Sequence, residues 1–100
     1  MSDLQNELQD LLRRFEDIWS RLKPTQLREL WDPDESDPYY IAEEIAEPMY
    51  GWEAIEPYWS QAEEILVRFS IRTFDMRCKR VAQDLAVLNF TMHWNGVVKG

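Results

Sequence analysis

Residues 47–59 have the sequence EPMYGWEAIEPYW, and this stretch decides how the rest of the chain is interpreted. Pro48 and Gly51 end the segment before them, because proline lacks a backbone N–H and glycine favours turns. From Trp52 onward, apolar residues recur at helical spacing, and the stripe continues beyond the stretch. The pattern therefore predicts a turn followed by a helix, with a kink or a restart at Pro57.

The first third of the chain predicts two more helices. Ser2 and Gln5 have the spacing of a capping box, and the leucines and aromatic residues that follow recur at steps of three and four. Pro24 cannot continue this helix but suits the first turn of another one, which Pro33 ends. Residues 32–37 are acidic but lack the glycine and glutamate spacing of a calcium-binding loop, so we expect a solvated turn.

The segment before the deciding stretch is ambiguous. The alanines and glutamates of residues 39–47 favour a helix, and Asp37-Pro38 resembles a helix start. Tyr39 and Tyr40 favour a strand, and nine residues between two prolines are few for an independent helix. Local propensity leaves both alternatives open.

After Glu64 the apolar period changes from helical spacing to two, which is typical of strands. Phe69 and Ile71 alternate with polar residues, and the phase slips near Phe74-Asp75, after which the alternation resumes. A single long strand with a bulge fits this pattern, because a bulge reverses the facing of every residue beyond it. Residues 82–84 form the predicted turn that follows.

Residues 86–94 are the cleanest strand pattern, with apolar residues on one face and Asn89, Thr91 and His93 on the other. Asn95-Gly96 is a strong signal for a two-residue hairpin, so Val97-Val98 is predicted to begin a returning strand.

Composition limits the classes of function. A chain of 100 residues forms one domain, and its formal net charge of -8 argues against binding to nucleic acid or to an anionic membrane surface. Cys78 is the only cysteine, which excludes an internal disulfide and a thiolate metal cluster. The N-terminus lacks the pattern of a signal peptide, and no apolar run has membrane-spanning length, so a cytoplasmic setting is predicted.

Several segments together resemble the SnoaL-like proteins of the nuclear transport factor two-like superfamily, which also contains ketosteroid isomerase. The likeness covers nearly the whole chain and rests on packing motifs. These motifs are FEDIW (residues 15–19), residues 27–31, AEE (42–44), EP (47–48), GWEAI (51–55) and YW (58–59).

The resemblance implies an α+β fold of conical shape, in which three N-terminal helices pack on a curved antiparallel sheet around an apolar cavity. It implies that residues 39–45 form a strand. The family completes its cone with further strands after the one that ends here at Trp94. We therefore expect residues 1–100 to be a single SnoaL-like domain that is incomplete at its C-terminal end.

Steroid isomerisation in this superfamily uses a tyrosine, a carboxylate base and a protonated carboxylic acid. By the resemblance, the tyrosine position corresponds to Phe15, the base position falls near Ala42, and the acid would lie beyond Gly100. Glu43, next to Ala42, is the candidate for a catalytic base. His93 is predicted to lie on the sheet face away from the cavity, and no metal or cofactor is expected.

The remaining predictions concern binding and assembly. We expect a pocket for an apolar small molecule, with a homodimer through the sheet face, and the residues leave open an interaction module or a lyase, isomerase or hydrolase that uses a pocket carboxylate. The candidate ligand-binding residues, which could equally fill the core, are Phe15, Trp19, Trp31, Tyr40, Met49, Trp52, Trp59, Phe90, Met92 and Trp94.

Overall fold

The computed structural model describes residues 3–42 and 45–100 and has α+β architecture. Its strands form two antiparallel two-stranded sheets, β1–β2 and β3–β4. Within the described residues, no helix has both the length and the apolar character needed to cross a membrane. The elements in chain order are α1 (Asp3–Ser20), a 3-10 helix (Pro24–Leu30), β1 (Tyr39–Tyr40), β2 (Met49–Tyr50), α2 (Trp52–Ile65), β3 (Leu66–Ala82) and β4 (Leu85–Val98).

Helix α1 confirms the first predicted amphipathic helix, and it buries Leu12, Ile18 and Trp19. Its C-terminus is a Schellman motif, in which the Lys23 N–H donates to the Ile18 carbonyl at 3.1 Å and the Leu22 N–H donates to the Trp19 carbonyl at 3.0 Å. Leu22 adopts the left-handed conformation that this motif requires, with φ of 62°. The predicted cap residue Ser2 lies outside the described residues.

The second predicted helix is present as a 3-10 helix with Pro24 at its start. Pro24 and Leu27 are buried, so this short element contributes to the core. The acidic loop that follows is exposed, as predicted. Its turns are fixed locally, because the Asp34 N–H donates to Asp32 Oδ1 at 2.9 Å and the Glu35 N–H donates to the Asp32 carbonyl at 3.0 Å.

The predicted strand over residues 39–45 is wrong in its length. Pairing is limited to Tyr39 opposite Tyr50 and Tyr40 opposite Met49. The next pair in this register would place Ile41 opposite Pro48, and proline has no N–H to donate to the ladder. Residues 43 and 44 lie outside the described residues.

Helix α2 confirms the helix predicted after Gly51. Gly51 has φ of 82° and ψ of 156°, a conformation that essentially only glycine adopts, and it lets the chain turn from β2 into the helix. The helix runs through Pro57 without ending, so the predicted restart does not occur. Ile55 and Trp59, both buried, hold the helix in the core on either side of the proline.

Strands β3 and β4 form the long hairpin and confirm the predicted bulge. Phe74 pairs with Thr91 and Arg77 pairs with Asn89, so β3 carries one extra residue between these pairs. Asp75, within the bulge, has φ of 55°. Side chains on β3 change facing there, as the alternation predicted.

The hairpin predicted at Asn95-Gly96 is wrong, because β4 continues through both residues to Val98. Asn95 pairs with Ser70 and Gly96 pairs with Phe69 on β3. A Cβ atom at Gly96 would lie 3.1 Å from Phe69 Cδ2, so the glycine makes room for the ring. Cross-strand packing therefore explains this glycine, and Val97 and Val98 extend β4.

The core lies between α1, the 3-10 helix and α2, and Leu66, Phe69 and Ile71 of β3 pack against it. Two hydrogen bonds fasten α1 to β3, since Glu16 Oε2 accepts from the Thr73 N–H at 2.6 Å and from Thr73 Oγ1 at 2.8 Å. The long sheet has two strands in the described part of the chain, and the closed cone stays a prediction. The buried core residues are Ile18, Trp19, Leu27, Ile55 and Trp59.

Candidate ligand-binding cavity

A half-open cavity of about 410 Å³ lies between α1, α2 and the inner face of the β3–β4 hairpin. The segment after β1 contributes to its wall through Ile41, Ala42 and Ile45. Because each strand presents alternate residues to one face, the hairpin supplies a nearly continuous apolar wall. The hairpin residues that line the cavity are Leu66, Phe69, Ile71, Met92, Trp94, Gly96 and Val98.

Three aromatic rings form a stacked row along this wall. The rings of Trp19 and Phe69 have centroids 4.9 Å apart at 30°, and those of Phe69 and Trp94 have centroids 5.4 Å apart at 14°. Trp19 comes from α1, whereas Phe69 and Trp94 come from neighbouring strands. Gly96 permits the position of Phe69. The row thus joins α1 to both strands, with Phe69 stacked between the other two rings and Trp94 at its end.

The polar groups of the cavity are few. Among the described lining residues, the side chains with hydrogen-bonding groups are Tyr40, Tyr58, Gln61 and the indoles of Trp19 and Trp94. Tyr40 and Tyr58 are neighbours, with ring centroids 5.9 Å apart. None of the described lining residues is Asp, Glu, Lys, Arg or His. The described wall therefore has no formal charge.

The mouth of the cavity is formed by apolar side chains that remain accessible to solvent. On β4, Met92 and Trp94 are each 43 % exposed and Val98 is 54 % exposed. Ile41 and Ile65, which also line the cavity, are exposed as well. Exposed apolar groups that surround a concavity are typical of surfaces that bind a ligand or another chain.

The structure places five of the ten predicted ligand-binding residues in the cavity wall and five outside it. The lining residues are Phe15, Trp19, Tyr40, Met92 and Trp94. Phe90 is adjacent, since its ring lies edge-on to Phe15 with centroids 6.2 Å apart. The remaining four belong to the core cluster or pack against it; they are Trp31, Met49, Trp52 and Trp59.

Trp59 is the centre of an aromatic cluster that shares Tyr40 with the cavity wall, and it is 0 % exposed. Its ring lies edge-to-face with Trp31 at 5.4 Å and with Tyr40 at 5.5 Å, and Trp52 is 6.2 Å away. Its indole N–H has no hydrogen-bond acceptor among the described residues. The surrounding ring faces are weak acceptors for such a group.

Sequence reasoning missed most of the α2 and loop contribution to the wall. Tyr58, Gln61, Ala62 and Ile65 follow one another at steps of three, one and three, which places them on one side of the helix. This spacing could have indicated these lining residues, because they lie next to the buried stripe of Ile55 and Trp59 on the helix. Ile41 and Ile45 gave no usable signal, because their placement depends on a short sheet and an irregular loop.

The groups considered for acid–base chemistry lie elsewhere or outside the described residues. Glu43 is not among the described residues. His93 is exposed on β4 opposite Arg72, on the face away from the cavity, as predicted. Glu16 accepts a hydrogen bond from the Thr73 N–H, and Glu63 accepts a hydrogen bond from the Thr25 N–H at 2.9 Å.

The described residues hold no group of three or more His, Cys, Asp or Glu side chains placed to bind a metal ion. Cys78 is half-buried on β3 beyond the bulge. The described wall offers hydrophobic contact, a stacked row of aromatic rings and a small number of neutral hydrogen-bonding groups.

Comparison with family models, with curated proteins and with solved structures gives no match. The likeness to SnoaL-like proteins rests on the sequence motifs given above and stays a prediction.

Proposed function

We propose that this chain binds a neutral, apolar small molecule in the cavity between its helices and the β3–β4 hairpin. The observation that carries the proposal is the described part of the wall, which is aromatic and aliphatic, has no charged residue and remains open to solvent at one side. A cavity of about 410 Å³ falls within the range that ligand sites of proteins occupy.

The charge of the wall selects the class of ligand. Moving an ion from water into an apolar site without a partner costs roughly several kcal/mol of solvation free energy. The described wall has no charged group that could compensate for this cost. A neutral ligand avoids this cost. Its polar atoms, if few, can be hydrogen-bonded by Gln61, which lines the cavity.

The shape of the wall favours a flat ligand. Phe69 and Trp94 are almost parallel, at 14°, and Trp94 is the end ring of the stacked row with 43 % of its side chain exposed, so a planar ligand can extend the stack there. Burial of apolar area against such rings stabilises a complex by about 25 cal/mol per Å² before the costs of association are subtracted. Planar aromatic or fused-ring molecules make the largest contact of this kind.

A SnoaL-like origin would fit this function, because an apolar cavity between helices and sheet is what the resemblance implies. The lyase, isomerase or hydrolase alternative requires a carboxylate in the cavity, and no described lining residue supplies one. Binding is therefore the function we favour, and Glu43 remains the residue on which the enzyme alternative depends.

Assembly through the sheet face is the second candidate function from the sequence. The outer face of β3 carries Arg68, Arg72, Arg77 and Lys79, all exposed, and none of them forms an ion pair with a described residue. Packing two such faces together would bring like charges into contact. This arrangement has less support than the cavity.

The test is a fluorescence titration with N-phenyl-1-naphthylamine, a neutral aromatic probe, on wild-type protein and two matched variants. Ala62→Phe places a ring in the cavity, because Ala62 lines it from α2. Ala54→Phe makes the same change at an exposed position of the same helix. We expect saturable binding that Ala62→Phe weakens by about tenfold or more, which corresponds to about 1.4 kcal/mol.

The control variant should bind as the wild type does. Equal binding by Ala62→Phe and Ala54→Phe, with both proteins folded by circular dichroism, would place the probe elsewhere and contradict the proposal. Native mass spectrometry of the purified protein adds a search for a co-purified neutral molecule.

A further inference from the structure

The two strands of the long hairpin differ in charge along their outer edges. Within the described residues, neither edge is paired with a third strand. An unpaired edge offers a row of backbone N–H and C=O groups to any extended chain, and proteins protect such edges with charged side chains and bulges. The two edges can therefore be compared for protection.

Strand β3 carries both protective devices. Arg68, Arg72, Arg77 and Lys79 project from it at exposed positions, and the bulge at Asp75 interrupts its regular ladder. A second strand laid along this edge would meet a bent backbone and a series of cations. This edge is poorly suited to self-pairing.

Strand β4 has neither device. Its sequence, LAVLNFTMHWNGVV, contains no Asp, Glu, Lys, Arg or Pro over 14 residues. The extra residue of the bulge lies on β3, so β4 is the regular partner. Asn89, Thr91, His93 and Asn95 project from its outer face, and they are side chains that donate and accept hydrogen bonds.

We propose that the free edge of β4 pairs in antiparallel orientation with β4 of a second copy of this chain. A strand paired with itself about a two-fold axis normal to the sheet keeps inner faces on one side, provided that residues of the same facing lie opposite each other. The absence of charge on β4 means that no like charges are juxtaposed. The two hairpins then form one continuous four-stranded antiparallel sheet.

The same pairing accounts for the exposed apolar residues at the mouth of the cavity. Met92, Trp94 and Val98 face inward on β4 beside its free edge and are 43 %, 43 % and 54 % exposed. A neighbouring β4 would place its own inward-facing apolar side chains beside them and bring the two cavity mouths side by side. The pairing does not depend on ligand binding, because backbone groups and these side chains form the contact.

Sedimentation equilibrium of the wild-type chain and two lysine variants tests the pairing. Thr91→Lys adds a cation near the middle of the β4 edge, where two copies of the residue approach each other in a self-paired strand. Ser70→Lys adds the same charge to the same sheet face on β3, opposite Asn95. We expect a wild-type dimer, a dissociation constant raised about tenfold or more by Thr91→Lys, and little change with Ser70→Lys.

Hydrogen exchange provides the second readout. Alternate amides of β4 that point away from β3 should gain protection as the protein concentration rises, whereas the outward amides of β3 should not. A monomer at millimolar concentration would overturn the proposal. So would a dimer that both lysine variants weaken equally, or one in which β4 gains no protection, because the contact would then be elsewhere.

Discussion

Two aromatic regions of this molecule consist of the same residue types but differ in ring packing and in exposure to solvent. Around Trp59, four rings meet at steep angles and the central ring is 0 % exposed. Along the cavity, Trp19, Phe69 and Trp94 stack nearly parallel, and Trp94 is 43 % exposed. Edge-to-face packing fills volume from all directions, whereas a stacked row leaves the outer faces of its end rings to be covered by other groups.

The difference is explained by which elements surround each region. The Trp59 cluster is enclosed by α2, the 3-10 helix and β1, and Arg28 covers Trp52 with its guanidinium carbon 4.1 Å from the ring centroid. The stacked row has α1 on one side and solvent at the free edge of β4. Trp19 belongs to both the core and the cavity wall, and closure by neighbouring elements, not residue type, distinguishes the buried Trp59 from the half-exposed Trp94.

The largest expected effect comes from truncating one tryptophan of each region. Trp59→Ala should destabilise the fold by about 3–5 kcal/mol, because it leaves a large hole in a closed core. Trp94→Ala should cost about 1 kcal/mol, because nearly half of its side chain is already in water. Urea unfolding followed by circular dichroism measures both. Equal losses for the two variants would remove the distinction between the regions.

A smaller effect is expected at the start of the helix that carries Trp59. Gly51→Ala should cost about 1–3 kcal/mol, because alanine is strained at φ of 82° although no atom lies within 4 Å of its Cβ position. Gly100→Ala is the matched control, since that position is open as well and has no such φ. Thermal unfolding of both variants separates backbone strain from loss of space. A melting temperature unchanged by Gly51→Ala would contradict the strain argument.

The smallest effect is expected at the hydrogen bonds between α1 and β3. Glu16→Gln should cost about 1 kcal/mol, because the amide replaces a carboxylate that accepts two hydrogen bonds from Thr73. Glu64→Gln makes the same change at an exposed position of α2 and should have almost no effect. Denaturant midpoints of the two proteins provide the comparison, and an equal shift for both would mean that Glu16 contributes only its charge.

Much of the fold could be predicted because it follows from local periodicity. The stripe through Ile18 and Trp19 and the phase slip at Phe74-Asp75 each have one simple structural solution. The turn predicted at Asn95-Gly96 does not form, because packing of Gly96 against the ring of Phe69 on the neighbouring strand outweighs the local turn preference. The predicted length of β1 was wrong because the position of Pro48 in the opposing strand depends on the register of the two strands.

Only five of the ten residues predicted to bind a ligand line the cavity. Helical spacing places Trp52, Trp59 and Ala62 on one apolar side of α2, but it does not say which part of that side faces other helices and which faces the cavity. That choice depends on how α1 and the hairpin dock against α2. Trp19 and Trp94 were predicted as lining residues, and they meet only through Phe69, which was not.

The most direct test of this account is an NMR titration that follows the five indole N–H signals during addition of N-phenyl-1-naphthylamine. We predict shifts for Trp19 and Trp94, which line the cavity, and little change for Trp31, Trp52 and Trp59, which belong to the closed cluster. Shifts centred on the Trp59 cluster, or no shift at Trp94, would contradict the account.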